Sequence, residues 1–553
     1  MEPKYALGID YGSLSARGAL VNMATGEEVC SLVYEYPHGF IDRTLPGSEK
    51  RLPQDFCAFS PVDYRNALEY LLTYVWREAS VRPEQVLAIG LDATACSPMP
   101  VDAAMQPLCL QEQWKNEPHA WPKLWKHMTA QTEADRINEV ALRRGEKFLH
   151  RCGNTSSAQF FFAKLLEVYR EAPQIYRAMD RFVNVADWLV WLMTGRYCSS
   201  VCTAGYKCFW GPEGFPSEEF FEEVEPGFGN VIEDKVRLEV LPNGSAAGGL
   251  TEEMARLTGL CAGIPVAVSM IDAHVAVPAV GLTEGGGMMM TMGTSVCHLI
   301  ISREGSFVPG IFGVIEDGVI PGYFGLEAGQ ASVGDVYNWF VSNAAGGDTA
   351  KIAAERGCSV IEALTEDALQ LQPGETGLVA LDWWTGNRSI LNNANLSGMI
   401  LGLSMTTKPR EIYRALVEAT AFGTRVIVDN FEKHGVSIDR VVACGGLSRK
   451  SKLVMQVFAD VLGRDIEISN IKETTALGAA MYAMVALGSE KGGYDTIEEA
   501  AKALIQPAKV IYHPNPAHKP VYEKLYSIYC TLHEYFGREH ADLMLDLKKL
   551  QGK

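Results

Sequence analysis

The stretch ALGIDYGSLSARGALV (residues 6–21) decides how the rest of the chain is read. Apolar Ala6, Leu7 and Ile9 lead to Asp10, then Gly12, Ser13 and Ser15 fall within a short turn before a second apolar run returns. This predicts a β-hairpin with small residues at its tip. Such a tip can hold a phosphate. Glycine and serine let backbone N–H groups approach a phosphate oxygen without a Cβ in the way, and an aspartate two residues before the glycine can hold Mg2+ through water. A plain structural turn carries the same pattern, so the hairpin by itself leaves both readings open.

The pattern recurs. GMMMTMGTSVCHLIIS (residues 287–302) is again an apolar strand, a Gly293-Thr294-Ser295 turn and an apolar return strand, with Gly293 and Thr294 matching Gly12 and Ser13. Two such hairpins far apart suggest a duplicated domain. A length of 553 residues also exceeds one core and suggests two domains, 1–283 and 284–553. With 47% apolar and 21% charged residues, both can bury ordinary cores. The net charge of −18 argues against a nucleic-acid partner, which would need compensating Lys and Arg. Small anions remain possible ligands of local N–H groups. Thirteen cysteines without framework spacing point to reduced thiols, Cys198, Cys202 and Cys208 included. No basic leader opens the chain and no apolar stretch is long enough to span a bilayer, so the expectation is a cytoplasmic protein with no membrane partner.

Along the chain, residues 62–79 have helical spacing, and VLAIGLDAT (86–94) reads as a buried strand ending in Asp92. Polar residues at such strand ends tend to line the ligand crevice of an open α/β sheet. Residues 110–129 carry Trp114, Trp121 and Trp125 among charges; a sugar-stacking face and a packing surface fit them equally well. Helices are expected near 157–170 and 184–194, the second entered at Asn184 and closed by Gly195. TAGYKCFWG (203–211) reads as a small-residue loop whose Lys207, on chemistry alone, is a solvated charge. IPVAVSMIDAHVAVPAVGL (264–282) is an apolar strand broken at Asp272 and His274, which makes Asp272 either a candidate general base or a helix cap. GLEAGQASVGD (325–335) brings Glu327, Gly329 and Gln330 into a helix start, and a long helix follows from Pro409 to about His434, with Gly435 just past its end. RVVACGGLSRKS (440–451) runs strand, Gly445-Gly446, helix, which leaves backbone open to a flat or anionic group. GxxxxGK[ST], GxGxxG and GxSxG signals are missing, so P-loop, Rossmann and α/β-hydrolase readings lack support.

Together these segments resemble the FGGY carbohydrate kinases, a branch of the actin, Hsp70 and hexokinase fold. The most specific part is GMILGLSMTTKPREIYRALVE (398–418), which fits the family's second-domain signature from Gly398 and Gly402 to Glu411, Ala415 and Glu418. ALGIDYGSLSARG, MGTS and CGGLSRK look like the family's two phosphate segments and its adenosine segment. IGLDATACSPMPVD (89–102), LWKHMTA (124–130), TAGYKCFWG and PGYFGLEAGQASVGDVYNWF (321–340) are similar to the subgroup acting on L-ribulose.

The resemblance implies a two-domain actin/hexokinase-like (ribonuclease H-like) α/β fold with an interdomain cleft. It implies transfer of the ATP γ-phosphoryl group to the terminal hydroxyl of a ketopentose, foremost L-ribulose in arabinose catabolism. D-ribulose, xylulose and ribitol kinases are the near alternatives, and a non-metabolic ATPase switch of the same fold the distant one. Asp272 is then the catalytic base, with Ala95, Lys207 and Glu327 beside the sugar, which reverses the solvated reading of Lys207. Gly12, Ser13, Ser15, Arg17, Gly293, Thr294, Ser295, Gly329, Gly445 and Gly446 would contact ATP, and Asp10 would hold Mg2+ through water. His127 stands where many relatives have an acid, and Lys450 where relatives have asparagine, so neither is given a role. Sugar and ATP are the expected partners, with a homodimer as an open expectation.

Overall fold

The computed structural model describes residues 2–550. The chain packs as two units. The first comprises Met1–Thr283, Phe312–Gly325 and Glu473–Gln506; the second comprises Glu284–Ile311, Leu326–Lys472 and Pro507–Lys553. The units are thus not two continuous halves: two segments from beyond residue 283, Phe312–Gly325 and Glu473–Gln506, belong to the first.

In the first unit, β1 (Tyr5–Tyr11), β2 (Ser15–Asn22) and β3 (Glu28–Glu35) form an antiparallel meander, and β4 (Val86–Ala93) lies parallel to β1. The sheet continues through Pro265–Ala267, parallel to β4, to an antiparallel edge at Ala246–Gly249, and Met270–Ile271 also pairs with β4. Helix α1 (Pro61–Glu78) begins as its chemistry requires, with Pro61 in the first turn and the Ser60 hydroxyl accepting the Asp63 N–H at 3.4 Å. Its stripe of Tyr64, Ala67, Leu68, Leu71, Leu72 and Val75 is buried against β2 and β3.

A second helix, Thr474–Leu487, lies on β1 and β4. Its seat is made by Gly8 and Gly90, which face each other in register on the two strands. A Cβ on Gly8 would crowd the Ala476 carbonyl and stand 2.9 Å from the Ala480 nitrogen; one on Gly90 would crowd the Ala479 carbonyl. Only glycine at both places lets a helix backbone come so close.

The second unit repeats this plan. Gly287–Met292 pairs antiparallel with Val296–Ser302 and parallel with Arg440–Cys444; Ile466–Ile468 continues in parallel and Val510–Tyr512 closes the edge antiparallel. The order antiparallel, parallel, parallel, antiparallel matches the first unit strand for strand, as the repeated hairpin predicts. The long helix Pro409–Lys433 starts with Glu411 accepting the Lys408 N–H at 2.9 Å and ends before Gly435, whose φ of +84° suits glycine. Within it Arg414 and Glu418 form a buried ion pair at 2.8 Å, and Arg414 also donates to the Tyr522 hydroxyl at 2.7 Å.

One element differs from its sequence reading. TAGYKCFWG is a loop only in its second half: residues Val201–Lys207 are a helix, capped by the Ser200 hydroxyl accepting the Thr203 N–H at 3.1 Å, and the chain leaves it at Cys208. Its small residues serve packing rather than turning, since a Cβ on Gly205 would stand 2.7 Å from the Ile315 side chain. The helix expected from 157 starts later, at Phe161.

Candidate active site

In the first unit three carboxylates meet at the ends of adjacent parallel strands. Asp10 is the penultimate residue of β1, Asp92 stands opposite it in register on β4, and Met270–Ile271 pairs with Asp92–Ala93 so that Asp272 follows directly. Parallel strands ending side by side bring together residues about 80 and 180 positions apart in sequence, at the edge where open α/β sheets bind ligands. Asp272 opens the helix Asp272–Ala279, and its Oδ1 accepts the Ala273 N–H at 2.7 Å. That contact is to the N–H of the next residue and is not a helix cap, since the N-cap position is Ile271.

Asp10 is held by the helix seated on the two glycines: Thr475 Oγ1 donates to its Oδ2 at 2.8 Å. Arg17, its cross-strand partner on β2, forms an ion pair with Glu473. Burial pushes the Asp10 carboxyl up from its ordinary range, against the pull of hydrogen bonding with Asp92 and Thr475 and of the Arg17 charge. Asp92 is pushed up much further, by burial first and then by the Asp10 charge. Neither Glu473 nor Thr475 has a signal in the sequence, because they lie more than 450 residues from Asp10.

The hairpin tip is bound by its own turn. The Gly12 N–H donates to the Ser15 carbonyl at 3.0 Å, so Gly12 offers space rather than a donor. Ser13 Oγ accepts from Trp125 Nε1 at 2.9 Å, which leaves its hydroxyl proton to be given elsewhere. Of the two readings of the tryptophan-rich stretch, Trp121 is a buried packing residue whose indole N–H goes to the Lys115 carbonyl at 2.8 Å. Trp125 is a support of the hairpin.

Lys207, at the end of its helix, is only 5% exposed, with its ammonium 5.2 Å from the Phe160 and Phe312 ring centres. A solvated charge is excluded, and a lysine so placed needs an anion or several oxygens nearby. The same helix puts Tyr206 against His274, ring centres 4.0 Å apart, and so packs beside the helix that Asp272 opens. Ala95 follows Thr94, whose N–H bonds the Tyr11 carbonyl at 3.2 Å, and thus sits just beyond the ends of β1 and β4.

His127 is a core histidine. It is buried, with Nδ1 accepting the Cys57 N–H at 3.3 Å and Nε2 2.9 Å from Glu167. Lys123 also reaches Glu167 at 2.9 Å. Burial and the Lys123 charge hold His127 and neighbouring His119 down to about 3, while Glu167, despite burial, is kept well below the usual carboxylate range by Lys123 and His127. His119, Glu167 and Glu171 come close enough to share a cation, but the Lys123 ammonium already fills that part.

In the second unit the tip Gly293-Thr294-Ser295 is exposed or half-exposed, with the Gly293 N–H on the Ser295 carbonyl at 2.9 Å. The first amides of the helix Gly334–Asn343 turn back onto it: Gly334 N–H bonds the Gly293 carbonyl at 3.2 Å and Asp335 N–H the Thr294 carbonyl at 3.2 Å. Gly445 ends the neighbouring parallel strand with φ +93°, and Gly446 is exposed with open space where a Cβ would be. Lys450 is exposed on the short helix that follows.

Glu327 lies buried on the strand Phe324–Gln330, with Arg388 Nη2 on its Oε1 at 2.9 Å. Two residues on, Gly329 is buried, its N–H held by Ser389 Oγ at 3.1 Å. A Cβ there would stand 2.9 Å from the Val296 carbonyl, so this glycine is required by packing. Gln330 spends its amide on Asp382, Thr420 and Thr424, which anchors the strand. Arg388 and Ser389 had no sequence signal.

Comparison with known proteins defines the class. The FGGY family of carbohydrate kinases matches by its N-terminal domain over residues 5–279 and by its C-terminal domain over 288–487. The chain belongs to this family and is an enzyme, a sugar kinase. More particularly, it is 49% identical over 553 residues to the ribulokinase of Halalkalibacterium halodurans, covering 100% of this chain and 98% of that one. To the ribulokinase of Mycolicibacterium smegmatis it is 41% identical over 551 residues, covering 100% and 97%. Among solved structures, xylulose kinase from Rhodospirillum rubrum superimposes with a TM-score of 0.79 at 22% identity, covering 97% of this chain and 100% of that one. Gluconate kinase from Lactobacillus acidophilus gives 0.80 at 17% identity, covering 98% and 100%. These show the fold, the two-domain actin/hexokinase-like α/β type. Among the described residues no helix is long and apolar enough to cross a membrane.

Proposed function

We propose that this enzyme transfers the γ-phosphoryl group of ATP to the terminal hydroxyl of L-ribulose, a step of arabinose catabolism in the cytoplasm. The likeness to ribulokinases over the whole chain supports the sugar, and the observation that carries the chemistry is the meeting of Asp10, Asp92 and Asp272 at one sheet edge. The sequence halves divide the work: 1–283 brings Ala95, Lys207, Asp272 and the first hairpin, and 284–553 brings Glu327, the second hairpin and the diglycine.

Asp272 takes the proton of the attacking hydroxyl, and so raises the nucleophilicity of O5 as it approaches phosphorus. Lys207 and Glu327 orient the sugar from opposite charges, with Ala95 offering backbone. Ser13, its oxygen already accepting from Trp125, gives its proton to a phosphate oxygen; Ser15, Arg17, Thr294 and Ser295 add donors, and Gly12, Gly293 and Gly329 keep side chains out of the way. Gly445 and Gly446 border the adenosine.

The residues present fit Mg2+, since Asp10 faces a buried carboxylate, Asp92, with no donor on either oxygen. When bound, Mg2+ neutralises β- and γ-phosphate oxygens. Asp10 would hold it through water.

A coupled ADP-release assay with Mg-ATP over L-ribulose, D-ribulose, L-xylulose, D-xylulose, ribitol and glycerol tests the proposal. The highest kcat/KM is expected on L-ribulose. A higher value on another sugar refutes the substrate, and sugar-independent turnover refutes the kinase role.

A further inference from the structure

We propose that Asp92 is a second carboxylate of the divalent-cation site headed by Asp10. This rests on the role given to Asp10 above and goes beyond it.

Asp92 is 0% exposed, and neither of its oxygens has a hydrogen-bond donor among the described residues. It stands in register with Asp10 on the adjacent parallel strand, which turns the two side chains to the same face of the sheet. Two groups beside Asp10 are engaged with other partners: Arg17 pairs with Glu473, and Thr475 donates to Asp10. Two carboxylates in contact inside a protein, without a donor, repel each other unless a proton or a cation sits between them. A hard cation with oxygen ligands answers that need, and Asp10 is half-exposed, so the pair has an opening from which a cation can enter. A purely structural aspartate at this depth would have hydrogen-bond donors, as buried Asp382 has in the Tyr529 hydroxyl and the Gln330 side-chain amide.

The alternative is a shared proton, and Asp92→Asn separates the two. An asparagine amide donates to Asp10 as a protonated Asp92 would, but it cannot act as an anionic ligand. Mn2+, as a spectroscopic stand-in for Mg2+, is titrated into the full-length protein with ADP, and free Mn2+ is read by electron paramagnetic resonance for wild type, Asp10→Asn and Asp92→Asn. The thermal unfolding of each metal-free protein is recorded alongside. Asp92→Asn is expected to weaken Mn2+ binding roughly tenfold or more at unchanged unfolding temperature. Wild-type Mn2+ affinity in Asp92→Asn, with affinity lost in Asp10→Asn, overturns the inference and leaves the Asp10 assignment standing. Wild-type affinity in both variants overturns the two together. If Asp92→Asn does not fold, Asp92→Ser supplies the comparison with the same expectations.

Discussion

Gly8→Ala tests the link between fold and site without touching any group that meets a ligand. An added Cβ would crowd the Ala476 carbonyl and come to 2.9 Å from the Ala480 nitrogen, both backbone atoms of a helix that has no rotamer to yield. Ordinary contact needs about 3.4 Å or more, so the first turns of the helix Thr474–Leu487 must lift by about 1.5 Å. Thr475 lies one residue before Ala476. A lift of that size takes its 2.8 Å bond to Asp10 beyond hydrogen-bonding range, and it loosens the Arg17–Glu473 pair at the same helix end. Overpacking of this kind costs about 1–3 kcal/mol, a fall of roughly 2–6 °C in Tm. Misplacing Asp10 by a comparable distance should lower kcat by about 10- to 100-fold. Calorimetry and the coupled ADP-release assay measure the two effects on one preparation. Gly347→Ala, where a Cβ meets nothing within 4 Å, is the control and should change neither. An unchanged Tm and full kcat in Gly8→Ala would refute the argument that glycine seats this helix and that the helix holds Asp10.

Asp272→Asn should lower kcat by roughly 10²- to 10⁴-fold, the usual worth of a general base, with ATP affinity retained by equilibrium titration; wild-type turnover would remove Asp272 from that role. Arg388→Ala leaves the Glu327 carboxylate without its 2.9 Å ion pair and should raise KM for the sugar more than it lowers kcat, with Arg388→Lys recovering part of the loss. Trp125→Phe keeps the ring but removes the N–H that Ser13 accepts; a loss of about 1 kcal/mol, or fivefold in kcat/KM, is expected, and it should vanish in a Ser13→Ala background. His127, held down to about 3 by burial and Lys123, is neutral when folded but takes a proton near pH 6.5 when unfolded. The unfolded chain therefore binds more protons, so stability is full above pH 6.5 and falls with pH towards 3, by about 2 kcal/mol at pH 5 from this group alone. Urea unfolding at pH 7 and 5 measures it, and His127→Gln should flatten the difference.

What the sequence determined by itself is local. The repeated hairpins, the helix from Pro409 to its end before Gly435, and the helix entered at Asn184 and closed by Gly195 follow from periodicity and local backbone preference, and the structure has each where these residues stand. Where local signals mislead, as at Val201–Lys207, the reason is tertiary: Gly205 is small because Ile315 packs on it, and a run of small residues reads as a turn. Lys207 is the same case. As an isolated residue it is a surface charge, and only the packing of Phe160 and Phe312 over it removes it from water.

The site belongs mainly to the second kind of information. Asp92 could be read as a strand-end residue, but its register with Asp10 depends on how two strands about 80 residues apart align. Thr475, Glu473, Arg388 and Trp125 support Asp10, Arg17, Glu327 and Ser13 from distant parts of the chain, and no spacing rule links them. Sequence specifies elements because hydrogen bonds and side-chain periodicity act over a few residues. The pairing of carboxylates and their supports is decided only when glycines such as Gly8 and Gly90 let one element settle on another, since that distance fixes which side chains can touch.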